Sequence, residues 1–448
     1  MLHSRSSATL VGLVILSMVL ALLVLPGCAS REGGNEKGNE ASMNRIAERY
    51  VRLTLALGQH DKMYVDAYYG PDEWQKEAES DSMGLAAIGS ETGELLAALK
   101  NLKVDGDDEL LRLRHSFLAR HIEALATWVK VRDGERFSFD QEAEALYDSK
   151  IPTYDESYFA ETLAEIDRLL PPGEGNVQER LEKYREDFII PKDKVAEIFT
   201  IVLEEARTRT KKYIELPEGE SFEVEYVTGT SWGAYNWYKG NARSLIQVNT
   251  DLPTYIDSPL GLAAHEGYPG HHVYNALLEK NLARERGWVE YSVYPLFSPL
   301  SFLAEGTANY GIEVAFPSGE RLAYERDVLY PLAGIDPERA DEYARIQKLA
   351  KKLSRARIQS ARMYLDQKWT REETIDYLSK YSLLSRARAG KVIDFFDEFR
   401  SYIINYYVGY DVVKEYIEGI EGTMEDPALQ WKEFEKLLST PRVPSGLS

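Results

Sequence analysis

The residues best equipped for chemistry lie together in one run: His265-Glu266-Gly267-Tyr268-Pro269-Gly270-His271-His272. Three of the chain's seven histidines fall here, the first followed directly by a carboxylate. Zinc takes neutral imidazoles and carboxylates, and a catalytic zinc keeps one position for water. In the H-E-x-x-H arrangement, histidines one helical turn apart hold the ion and the glutamate acts as general base. Here the second histidine comes six residues after the first, so an unbroken helix cannot serve. At roughly 100° and 1.5 Å per residue it turns His271 away from His265 and carries His272 about 10 Å along the axis. Pro269 supplies the break. It lacks an N–H and clashes with the carbonyl of His265, while Gly270 accepts the dihedrals that the break requires. The expectation is a helix starting at Ser258-Pro259, a cap followed by proline at the first position. It opens just after His265, so that either His271 or His272 completes the pair.

A third ligand has to come from another segment. Ser298-Pro299-Leu300 repeats Ser258-Pro259-Leu260, and Glu305 lies as far beyond its proline as His265 lies beyond Pro259. Asn309 and Glu313 follow at one and two turns on the same face. They are placed to accept the N–H that a metal-bound histidine donates from its other ring nitrogen. One Zn²⁺ ion, with Glu266 as base, is the cofactor expected.

These residues resemble a known family. His265 to His272, Glu305-Gly306-Thr307-Ala308-Asn309-Tyr310, and Tyr64-Val65-Asp66-Ala67-Tyr68-Tyr69-Gly70-Pro71 look like the bacterial family called domain of unknown function 885, grouped with gluzincin-type zinc metallopeptidases. The resemblance spans most of the chain after residue 43. It implies a largely helical zinc hydrolase with His265, His271 or His272, and Glu305 around the metal and Glu266 as base. Two departures stand out. The Pro-Gly that commonly precedes a Ser-Tyr near the family's C-terminus is replaced by Asn405-Tyr406-Tyr407-Val408-Gly409, and no histidine follows His272. The donor for a tetrahedral oxyanion therefore has to come from Tyr310, Tyr406, Tyr407 or Arg362. Arg362 resembles a family position and could hold a substrate carboxylate.

The elements that must position these residues read as mainly α: a helical, two-lobed zincin-like metallopeptidase architecture with a small β-hairpin or sheet beside the metal-site helix. Residues 1–27 read as a lipoprotein signal ending in Leu25-Pro26-Gly27-Cys28, with Cys28 the lipidated residue. Cys28 is the sole cysteine, so no intrachain disulfide can form. Residues 28–42 read as a polar tether, 43–215 as an N-terminal helical lobe, and 216–448 as a catalytic lobe. From Met43 a helical period runs through Ile46, Ala47, Tyr50, Leu53 and Leu57. Further amphipathic helices are expected around Glu91 to Leu102, Asp108 to Val129, Glu156 to Leu170, Val177 to Phe188 and Lys192 to Tyr213. His121 falls on an apolar stripe and reads as packed. Phe222 to Thr250 carries the β signal, two extended runs turning near Tyr238 to Asn241, with Leu245 to Asn249 as a candidate edge for an extended substrate. Asp336 to Asp366 reads as a long or broken helix, and Thr370 to Glu373 as a capping box.

The formal charge of −20 argues against nucleic acid as a partner. The reading is an exported, lipid-anchored zinc hydrolase acting on a peptide or other small amide, touching the membrane through its lipid only. Two rivals stand beside it: a non-catalytic surface lipoprotein that keeps a metal-site outline, and a zinc amidase or esterase acting on non-peptide substrates.

Overall fold

The computed structural model describes residues 29–104, 108–230 and 233–447 of the chain. The segment read as a signal and Cys28 lie outside them. The fold is mainly helical, with two small sheets. The stretch read as a tether is instead helical from Ala29, continuous with the periodic segment through His60. It contains no proline, and its glycines cost helix stability without forbidding a helix. The stripe from Met43 to Leu57 is buried as its period requires.

That first helix packs on an antiparallel pair, Leu85–Lys100 and Glu109–Arg132. Asp108 caps the second of these by accepting a hydrogen bond from the Leu111 amide. Arg114 is fully buried within it, yet its charge is met: its guanidinium donates to Glu290 Oε1 at 2.6 Å and Oε2 at 3.0 Å. His121 lies stacked on Phe117, centroids 3.7 Å apart, as a packed residue. The expected helices at Glu156–Leu169, Val177–Glu186 and Lys192–Lys211 all form. The long C-terminal segment breaks into Ala340–Leu353 and Ala356–Leu365. Thr370 and Glu373 close the capping box of the next helix. Buried apolar residues from Met43 to Leu447 form one continuous cluster across the boundary read at residue 215. A second, small cluster holds Tyr238, Ala242 and Ala276, with Tyr69 packed against it.

The β elements differ from the expected hairpin. Strands β1 (Val65–Tyr68) and β5 (Val293–Pro295) pair antiparallel, which ties the Tyr64 to Pro71 motif to the segment leading into the Pro299–Ala315 helix. The other sheet holds β2 (Ser221–Val227), β3 (Ala234–Tyr238) and β4 (Arg243–Asn249) in the order β2-β4-β3. The two runs expected to form a hairpin, β2 and β4, pair in parallel. The turn near Lys239 to Ala242 joins β3 to β4 instead. β4 is thus central, with its hydrogen-bonding groups engaged on both sides, and cannot receive a substrate strand as expected.

Candidate metal centre

Locally the chain does what Pro269 and Gly270 demand. A short helix, Ser258–Leu262, widens into a π-helical turn over Ala263–Gly267, and a new helix begins at His271. Asp257 rather than Ser258 takes the cap position, without a side-chain bond, whereas Ser298 caps the Pro299–Ala315 helix through the Ser301 amide. At the break the Gly270 amide donates to Ala264 O at 2.9 Å. A Cβ on Gly270 would lie 1.9 Å from the carbonyl oxygen of His265, so only glycine fits this close approach. Asn236 on β3 donates its side-chain amide to Glu266 O at 2.6 Å, holding the widened turn against the sheet.

The break folds His271 back onto His265, with Nε2 atoms 3.1 Å apart. Glu305 Oε2 lies 3.3 Å from His265 Nε2 and 3.8 Å from His271 Nε2. The ligand atoms of all three lie within 4.8 Å of one another. Burial alone would lower the His265 pKa, but Glu305 and Glu266 beside it raise it overall. His271 is pushed down to about 4 by burial and by the His265 charge. Burial would raise Glu305, yet the two imidazoles and the Tyr402 hydroxyl hold it below the usual carboxylate range. Tyr402 donates to Glu305 Oε1 at 2.9 Å, whereas Oε2 is buried without a well-directed hydrogen bond.

Those facts test the fit of a cation. Two imidazole nitrogens and a carboxylate oxygen, turned toward one point and short of hydrogen-bond donors, match the donor set of a divalent metal with a position to spare. Glu266 sits beside them, its carboxyl pushed up to about 7 by burial.

The remaining expected residues divide. His272 turns the other way: its Nδ1 meets Ser244 Oγ at 2.8 Å and its Nε2 meets Glu220 Oε2 at 3.2 Å, so it is not grouped with His265. Asn309 keeps its expected place, reaching His265 and donating to Tyr406 O at 3.3 Å. Glu313 does not. It accepts from Tyr410 at 2.6 Å and Lys414 at 3.1 Å, two groups that outcompete a distant imidazole. Arg362 is engaged by Asp140 at 2.9 Å, Gln359 and Pro152 O, which leaves its fork no reach toward substrate. Tyr310 points to Gln430 at 3.0 Å and packs on Phe434. Tyr407 accepts from Arg357 at 3.2 Å. Tyr406 packs edge-on against Tyr402, near enough to Glu305 and Glu266 for their charges to raise its pKa further after burial.

Three neighbours were not singled out from sequence. Tyr402 lies just before the Ile404–Glu418 helix, and its bond to Glu305 depends on a helix crossing. There a Cβ on Gly306 would lie 2.4 Å from Gly409 O, so the Pro299–Ala315 and Ile404–Glu418 helices touch backbone to backbone. Asp66, inside the Tyr64 to Pro71 motif, accepts a hydrogen bond from Tyr235 and has its carboxyl pushed up to about 6 by burial. Glu305 adds to that rise, which puts Asp66 and Tyr235 on the rim of the same centre.

No family model matches the chain, and no curated protein matches it. Nothing therefore supports the family resemblance beyond its motifs. Among solved structures, a presumed lipoprotein from Colwellia psychrerythraea matches at a TM-score of 0.50 and 17% identity, over 83% of this chain and 70% of that one. A presumed lipoprotein of unknown function from Shewanella oneidensis matches at 0.41 and 13% identity, over 84% and 74%. The first likeness shows a shared fold alone. No helix among the described residues is long and apolar enough to cross a membrane.

Proposed function

We propose that the protein is a metal-dependent hydrolase that cleaves peptide bonds, with His265, His271 and Glu305 holding one Zn²⁺ ion. The supporting observation is the convergence of those three ligand atoms within 4.8 Å, next to a buried carboxylate at Glu266. When bound, such an ion lowers the pKa of a coordinated water toward about 7 and polarises a carbonyl. Glu266 accepts the water's proton and later delivers it to the leaving amine. Tyr402 fixes the Glu305 carboxylate, and Asn309 orients His265, which leaves both side chains one geometry. Tyr406, whose phenol lies within the field of both Glu305 and Glu266, donates its O–H to the developing oxyanion, while the Tyr235 hydroxyl stays engaged by Asp66. The same chemistry serves non-peptide amides and esters.

The N-terminal signal ending at Cys28 makes this an exported, lipid-anchored enzyme in our reading, and the lipoprotein description of the Colwellia psychrerythraea neighbour agrees with that location. That description fits a second reading better than it fits an enzyme: an anchored protein that binds rather than cuts. A Glu266→Gln variant separates the two. Incubated with a mixed peptide library, the wild-type chain cleaves and the variant does not, while both retain one zinc. Cleavage by the metal-loaded variant at the wild-type rate contradicts the role of Glu266. Absence of cleavage by the wild-type chain, with zinc bound, favours the binding protein.

A further inference from the structure

A cavity of about 460 Å³ adjoins the centre, sharing Asn309 and Tyr406 with it, and four cations stand on its wall: Lys351, Arg355, Arg357 and Lys391. In a chain of net charge −20 that concentration is unusual. Two of the four are met locally, Arg355 by Asp411 and Lys351 by Glu313 at 3.5 Å. The other two are not. Arg357 donates to the Tyr407 hydroxyl at 3.2 Å, and among the described residues it meets no carboxylate and its buried Nε has no partner. Lys391 makes no ion pair among the described residues. A guanidinium beside a cavity without a carboxylate partner leaves charge that an anionic ligand can answer. The Tyr407 hydroxyl, accepting from Arg357, keeps its own proton free to donate into the same space.

We propose that this cavity receives the free C-terminal carboxylate of a peptide, gripped by Arg357 and Lys391. It rests on the hydrolase reading and narrows it to an enzyme that trims peptides from the C-terminus. A planar guanidinium matches a carboxylate through paired N–H donors, and the neighbouring ammonium adds charge without demanding geometry. Asn309 and Tyr406 lie between this grip and the metal ligands, so a chain anchored here extends toward Glu266. There the water oxygen adds to the carbonyl carbon and the C–N bond breaks. The water proton passes through Glu266 to the departing amine.

The test uses the full chain freed of metal, so that no zinc competes for the carboxylate. Calorimetric titration compares N-acetyl-trialanine with its C-terminal amide. The acid binds about tenfold more tightly, and the difference disappears in Lys391→Met and in Arg357→Met. Lys391 is exposed, so its variant folds even where the Arg357 variant does not. Equal affinity for acid and amide overturns the proposal, as does a preference that survives both substitutions. Inorganic phosphate binding more tightly than the acid also overturns it. A chain that discriminates acid from amide yet, reloaded with zinc, hydrolyses neither keeps the carboxylate site and removes the hydrolase reading alone.

Discussion

His265 and His271 are six residues apart in sequence, yet their Nε2 atoms stand 3.1 Å apart. The widened turn before Pro269 and the restart of the helix at His271 produce that closeness. Glu305 completes the set from a separate helix, held by Tyr402 at 2.9 Å.

The first prediction separates the adjacent histidines. His271→Ala loses bound zinc, whereas His272→Ala keeps one zinc per chain. His272 is fully buried between Ser244 and Glu220, so its removal strands the Ser244 hydroxyl, although Glu220 keeps Tyr268 and Arg207, and costs about 1–3 kcal/mol of stability. Metal content by mass spectrometry and urea unfolding together check it. Loss of zinc from the His272 variant while it remains folded contradicts the assignment.

Tyr402→Phe removes the one hydroxyl that holds Glu305 Oε1. Zinc affinity falls about 10–100-fold, with the fold unchanged by circular dichroism. Competition with a fluorescent chelator reads the affinity, and an unchanged value rules out this support.

Gly270→Ala pushes a methyl group to within 1.9 Å of the His265 carbonyl oxygen. The backbone has to move at the ligand itself, so the variant loses at least about 3 kcal/mol and its zinc together. Thermal unfolding with and without added zinc checks this: the wild-type chain gains stability from the metal and the variant does not.

The break between His265 and His271 was legible because proline and glycine act locally. Glu305 was legible because the Ser-Pro-Leu start of its helix copies the other. The choice of His271 over His272 was not, since it turns on which way the new helix faces after the break. Tyr402 and Asp66 reach the centre only through tertiary contact, one across a glycine-to-glycine helix crossing and the other through the β1–β5 pairing. Residue periodicity contains neither. The parallel pairing of β2 with β4 was hidden for a related reason, because two extended runs in sequence look alike whichever strand lies between them. Glu313 was misjudged on helix spacing and Arg362 on resemblance to a family position; neither tells that Lys414 or Asp140 waits at the end of the side chain.

His121 gives a pH dependence remote from the centre. Burial lowers its pKa from 6.5 to about 3, against a bond to Phe117 O that raises it, so the folded chain keeps it neutral. Above pH 6.5 it is neutral in both states and contributes no slope. As pH falls from there toward about 3, the unfolded chain takes up a proton that the folded chain refuses. Stability therefore drops by about 1.4 kcal/mol per pH unit from this residue. His121→Leu removes that component, measured as a shallower loss of unfolding free energy between pH 6 and pH 4 (about one proton fewer). Parallel pH profiles for wild type and variant contradict it.

The most direct measurement is anomalous diffraction at the zinc edge from crystals of the full chain grown with zinc. One peak is expected about 2.0–2.2 Å from His265 Nε2, His271 Nε2 and a Glu305 carboxylate oxygen. A peak absent from that position, or one ligated by His272 in place of His271, contradicts it.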